Sequence, residues 1–171
     1  MKYCEINGNL LETPCDIICH QVNCMGVMGS GIAKQIKKKW PKVYREYNDY
    51  VNLCRETKTS LLAKTLFVDI SEYYEGKGHS HHKINYVCNL FGQYFYGTER
   101  RQTSYGAVAV GLERLRRFVK EHYNDKECVI GFPWKMCSDR GGADWNIIMK
   151  MILTIFKNEN VIIKFVKYNG E

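Results

Sequence analysis

With 171 residues, 45% of them hydrophobic and 25% charged, the chain has room for one ordinary buried core, and its composition sets aside disordered and fibrous classes. No apolar run approaches the roughly 18 residues a membrane-spanning helix needs. The opening Met1–Ile6 reads as a strand rather than a secretory leader, so the expectation is a single cytosolic domain covering residues 1–171.

The predicted elements alternate along the chain. Strand Met1–Asn7 is followed by a turn at Gly8-Asn9 and by strand Asp16–Val22. A glycine loop leads into helix Ser30–Lys39, and a second helix starts after Pro41, a residue suited to a first helical position. Strands Ala63–Ile70 and Lys83–Leu90 are joined by a polar stretch, Glu75 to His82. Helix Thr103–His122 carries Val108, Leu112, Leu115 and Val119 at helical spacing. Strand Glu127–Phe132, a second glycine loop, helix Ala143–Phe156 and strand Val161–Lys167 complete the order. Trp145, Ile148, Ile152 and Ile155 lie at core spacing on the last helix. Such alternation predicts an α/β fold: a three-layer α/β/α sandwich around a mixed, largely parallel sheet with right-handed crossovers.

Among the eight cysteines, Cys4, Cys19, Cys88 and Cys128 sit in apolar runs and read as reduced, small hydrophobes. No CxxC pair supplies the unit of a zinc or redox site. His79, His81 and His82 lack cysteine or carboxylate companions at ligand spacing, so no metal and no cofactor is expected.

Two loops carry the functional argument, because ligands of such sheets bind where loops leave the carboxyl ends of strands. The first holds Gly26, Gly29 and Gly31 and opens onto a helix, whose free N–H groups and dipole suit an anion. It has no Lys-Ser/Thr after the glycines and no G-x-G-x-x-G order, so neither a Walker A loop nor a dinucleotide fingerprint fits. The second, Met136 to Gly142, also opens onto a helix. Together they suggest a diphosphate clamp, provided that they lie at the same end of the sheet. The net charge of +7 suits a small anion or a nucleic acid. Without evident aromatic–basic interleaving, nucleic acid is the less favoured partner.

The run His20–Tyr44, the segment NLFGQ at Asn89–Gln93 and FPWKMCSDRGGADW at Phe132–Trp145 resemble the macrodomain family. The nearest branch comprises the phage, yeast and bacterial proteins that process ADP-ribose 1″-phosphate and ADP-ribosyl esters. The resemblance implies ADP-ribose, free or attached to a substrate, as the partner. By position it implies that Asn9, with Leu10 beside it, stands where an aspartate usually reads adenine, and that Asn23 bonds the distal ribose. Gly26, Val27, Met28, Gly29, Ser30, Gly31 and Ile32 match the first phosphate loop. Met136, Cys137, Ser138, Arg140, Gly141 and Gly142 match the second, although Cys137-Ser138-Asp139 replaces a commonly glycine-rich stretch.

Hydrolysis at the distal ribose needs fixed geometry, an activated water and stabilised charge. His20, which matches a histidine of the relatives, and Asp139 are the candidates for water activation. Gln93 matches a polar group near the distal site. Each has a plainer reading: Asn9 as a turn residue, Asn23 as a loop cap and His20 as a core histidine, with Asp139 paired outward to Arg140 and Gln93 as a turn residue after Gly92. The glycohydrolase branch of the family uses a lysine on the strand matching Asn85–Leu90, where this chain has Cys88, Asn89 and Leu90, so no lysine adduct is expected. The hydrolase reading stands beside two others, a non-catalytic ADP-ribose reader and a basic nucleic-acid-binding domain.

Overall fold

The computed structural model describes residues 1–75 and 83–168. Six strands, β1 (Lys2–Asn7), β2 (Ile17–Asn23), β3 (Thr65–Asp69), β4 (Tyr86–Gln93), β5 (Cys128–Pro133) and β6 (Val161–Lys167), form one sheet in the order β1-β6-β5-β2-β4-β3. Only β3 runs antiparallel, against β4. The other pairings are parallel, which makes the sheet mixed and largely parallel, as expected. The four helices are α1 (Gly31–Lys39), α2 (Pro41–Glu56), α3 (Tyr105–Tyr123) and α4 (Trp145–Ile155).

Strand side chains alternate between two cores. Ile18 and Val22 join Ile36, Trp40, Val43 and Tyr47 under α1 and α2. Ile17 and Cys19 join Leu112, Leu115, Ile148 and Ile152 under α3 and α4. A strand covered on both faces has no polar side to offer, which is why β2 is apolar at successive positions. Ile17 and Ile18 are wholly buried, each contributing about 1.5–3 kcal/mol by area. Ile148 and Ile152 are buried, while Trp145 and Ile155 pack against the same cluster. All eight cysteines are free thiols, seven buried and Cys4 half-buried.

Chain direction explains the layers. From β2 the chain moves to the β4–β3 side through α1 and α2. From β4 and then β5 it moves the opposite way through α3 and α4, toward β6. One handedness of crossover requires opposite directions to use opposite faces, and the two cores show that they do. The strand order therefore reverses between β2 and β5, the place where such sheets open a crevice at their carboxyl ends.

Boundaries shift where backbone conformation or capping overrides pattern. Ala63, at φ 70, stands outside β3, and β4 continues to Gln93. Helix α3 starts at Tyr105 because Ser104 caps it, its side chain accepting from Ala107 N. No helix among the described residues is long and apolar enough to cross a membrane.

Candidate functional site

Strands β2 and β5 are parallel neighbours, so the loops that leave their carboxyl ends emerge side by side. Gly31 and Arg140 are neighbours across them: a Cβ on Gly31 would stand 4.0 Å from Arg140 Nε. The two glycine loops thus share one end of the sheet, at its switch point.

Asn23 shapes the first loop. Its Oδ1 accepts from Met25 N (3.0 Å) and Val27 N (3.3 Å), and its Nδ2 donates to Val27 O at 2.7 Å. The Tyr47 hydroxyl reaches from α2 to both Asn23 O (2.7 Å) and Oδ1 (2.9 Å). Burial raises the Tyr47 pKa, so this hydroxyl stays a donor. Gly26 turns at φ 80; Met28 is buried and Ile32 packs against the core, anchoring the loop. Val27, Gly29 and Gly31 face solvent. Ser30 caps α1 in extended backbone without a side-chain bond. The N–H groups of Gly31, Ile32 and Ala33 open the helix, where helix geometry gives them no partner, and no acidic residue occupies that first turn.

The second loop is a series of turns from Trp134 to Gly141, with Cys137 at φ 69 and Gly142 at φ 69. Its consecutive N–H groups at Asp139, Arg140 and Gly141 find no acceptor among the described residues. Unlike α1, helix α4 is closed at its start: Asp144 Oδ1 accepts from Asn146 N at 2.8 Å. The second cradle is therefore loop backbone rather than the helix end that the sequence suggested. A polar chain ties the loops together. Gln21 on β2 contacts Gln93 on β4 and donates to Thr103 Oγ1 at 3.0 Å, and Thr103 Oγ1 lies 3.0 Å from Cys137 O. A Cβ on Gly141 would collide with Thr103 Oγ1 and with Cys137 O.

Comparison with solved structures decides the fold. The macrodomain of Mycobacterium tuberculosis DarG superposes with a TM-score of 0.69 at 22% identity, covering 93% of this chain and 96% of that one. This chain has the macrodomain fold. No family model matches the chain. Among curated proteins, ADP-ribose 1″-phosphate phosphatase of Debaryomyces hansenii is 36% identical over 84 residues, which is 49% of this chain and 46% of the relative. DNA ADP-ribosyl glycohydrolase of Mycobacterium tuberculosis is 24% identical over 151 residues, 88% of this chain and 38% of the relative. The chain thus spans about half the length, or less, of these curated relatives.

Several expected site residues are engaged elsewhere in this chain. His20 is wholly buried, with Nε2 2.8 Å from Asn89 Oδ1 and Nδ1 without a partner. Desolvation pulls its pKa down to about 4, partly offset by the bond to Asn89. It is a neutral core histidine, closed to the water it was expected to activate. Asn9 spends its Oδ1 on Leu11 N (3.0 Å), capping a 3-10 turn at Leu10–Glu12, and Leu10 enters the core. Met136 and Cys137 are also buried. Gln93 donates from Nε2 to Phe95 O at 2.8 Å, and Ser138 is half-buried on the loop.

Asp139 and Arg140 are exposed, and neither forms an ion pair among the described residues. The pairing between them that the plainer reading supposed is absent. His79, His81 and His82 lie outside the described residues. Sequence reasoning missed Gln21 and Thr103, which lie 82 positions apart. Their only signal was polarity, at the end of an apolar strand and just before a helix.

Proposed function

We propose that this macrodomain binds ADP-ribose, with the pyrophosphate held between the first turn of α1 and the N–H groups of Asp139–Gly141, and that it slowly hydrolyses a bond at the distal ribose. One observation carries the reading: two sets of backbone donors without partners, at the start of α1 and at Asp139–Gly141, sit on loops that leave adjacent parallel strands, with Gly31 beside Arg140. Such donors favour a dianionic linkage over a neutral ligand. The names of the relatives, a phosphatase of ADP-ribose 1″-phosphate and a glycohydrolase of ADP-ribosylated DNA, support the same ligand.

In this reading Asn23 holds the loop and keeps one Nδ2 proton for the ribose. Arg140 adds charge at the phosphates. Asp139 is the remaining group with access to a water. A second reading, binding without turnover, is favoured by the burial of His20 and by the engagement of Asn23 Oδ1 within its own loop. Calorimetry with ADP-ribose, AMP and single-stranded DNA tests the binding claim. Tight binding of ADP-ribose alone supports it, and equal affinity for AMP removes the pyrophosphate clamp. Product formation from ADP-ribose 1″-phosphate and from an ADP-ribosyl ester then separates enzyme from reader.

A further inference from the structure

After Gln93 the chain runs Tyr94-Phe95-Tyr96-Gly97-Thr98-Glu99-Arg100-Arg101, and all eight residues are exposed. Tyr94, Phe95 and Tyr96 keep 54%, 48% and 59% of their surface open. Water-soluble domains rarely leave large apolar side chains contiguous and uncovered without a use for them. These rings do not collapse inward because the backbone beneath them is pinned. Cys24 N donates to Tyr94 O (3.0 Å), and Gln93 Nε2 donates to Phe95 O (2.8 Å). Beyond Gly97, at φ 121, Gln102 N and Thr103 N both donate to Gly141 O at 3.0 Å. The segment is thus held at both ends, at Cys24 just after β2 and at Gly141 in the second glycine loop.

We propose that Tyr94, Phe95 and Tyr96, flanked by Arg100 and Arg101, form a stacking platform for the bases of a single-stranded nucleic acid. Aromatic faces bind any base by stacking, and nearby guanidinium groups track the phosphates. Tyr94 and Phe95 meet edge to face, their centroids 4.9 Å apart and their planes at 72°, which turns the rings to different directions. The Arg101 guanidinium sits 4.8 Å from the Tyr105 ring, and Arg55 donates to Met25 O at 2.9 Å, one residue from the Cys24 that holds Tyr94. Glu99 is the one carboxylate between Tyr94 and Thr103. Arg100 and Arg101 follow the rings and outnumber that one carboxylate, a basic balance that suits a polyanion of stackable bases. The platform stands on this segment alone. That its strand leads into the cleft, so that the ADP-ribose is carried on a nucleic acid, rests on the reading given under Proposed function.

Fluorescence anisotropy on the whole chain, with labelled oligothymidylate and oligouridylate of about ten nucleotides, tests the platform, while calorimetry follows ADP-ribose in parallel. The wild type binds at least one oligonucleotide. The triple variant Tyr94→Ala, Phe95→Ala, Tyr96→Ala binds it at least ~10-fold more weakly, as the loss of stacked bases requires, and its ADP-ribose affinity is unchanged. The Tyr94→Phe, Tyr96→Phe variant, which keeps the faces, retains the binding. The Arg100→Ala, Arg101→Ala variant shows a shallower salt dependence. Preference between the two oligonucleotides identifies a DNA or RNA strand, and equal binding supports recognition through bases alone. Three results overturn the proposal: no oligonucleotide binding by the wild type, binding that survives loss of the rings in a variant that melts normally, or a triple variant that loses ADP-ribose instead. If the wild type binds oligonucleotide but not ADP-ribose, the platform stands and the ADP-ribose reading fails.

Discussion

Gly31, at the start of α1, and Arg140, in the loop after β5, are neighbours at the carboxyl end of the sheet: a Cβ on the glycine would lie 4.0 Å from Arg140 Nε. The contact forms because β2 and β5 are adjacent and parallel, although more than a hundred residues separate the two side chains in sequence. Everything proposed for the site depends on that convergence.

Gly141 offers a direct check of how tightly the second loop must close. An alanine Cβ there falls on Thr103 Oγ1 and Cys137 O, so the loop has to back away and the link through Thr103 to Gln21 breaks. Overpacking of this kind costs about 1–3 kcal/mol. Gly141→Ala is expected to lower the melting temperature and to weaken ADP-ribose at least ~10-fold, the equivalent of about 1.4 kcal/mol. Gly106→Ala is the contrast. It lies in α3 with nothing within 4 Å of the added atom, so it should stabilise the fold by about 0.5–1 kcal/mol without changing affinity. Equal affinity in the two variants would show that the second loop does not hold the ligand.

His20 predicts a pH dependence of stability. Its pKa falls from an unfolded value near 6.5 to about 4 in the fold, chiefly by desolvation. A depressed value leaves stability full above the unfolded pKa and erodes it as pH drops toward the folded one, because the unfolded chain takes up the proton first. The loss reaches about 3 kcal/mol across that window. Urea unfolding at several pH values between neutrality and 4 should show this slope in the wild type. His20→Gln, which can still bond Asn89, should flatten it. A parallel slope in both proteins would remove His20 as its source.

The thiols offer an independent view of the core. Burial pushes Cys15 up to about 12 and holds Cys88 and Cys137 well above the ordinary thiol value, so these groups are both inaccessible and protonated. In native protein a thiol reagent should react promptly with Cys4 alone, the one cysteine not buried. Denaturant should release all eight. Rapid native modification of several thiols would mean that the sheet opens far more readily than its packing implies.

The sequence made the layers legible because β2, β5 and β6 are apolar at successive positions and the helices repeat at helical spacing, so element type follows from period. It also marked the loops, since Gly26, Gly31 and Gly142 adopt positive φ. Side-chain roles were less legible. Residue type shows what Asn9, Asn23 and His20 can bond, but not that Leu11 N, Val27 and Asn89 are the groups they meet. The Gln21–Thr103 contact joins segments that only the fold brings together. Tyr94-Phe95-Tyr96 follows NLFGQ with no period that tells inside from outside, and the fold is what shows the rings exposed.

Asp139 separates an enzyme from a reader through effects of opposite sign. Its carboxylate is exposed on the loop that carries the free N–H groups and has no cationic partner among the described residues. Beside a bound pyrophosphate that charge is repelled, so neutralising it in Asp139→Asn should leave ADP-ribose affinity unchanged or tighten it a few-fold. If Asp139 takes the proton from the attacking water, the same substitution should slow turnover by about 100-fold or more, the usual contribution of general base catalysis. Turnover falling while affinity holds assigns the base to Asp139. A parallel fall in both makes it a residue that shapes the loop. Undiminished turnover moves water activation to another group, and with His20 sealed in the core, substrate-assisted attack would then be the next mechanism to measure.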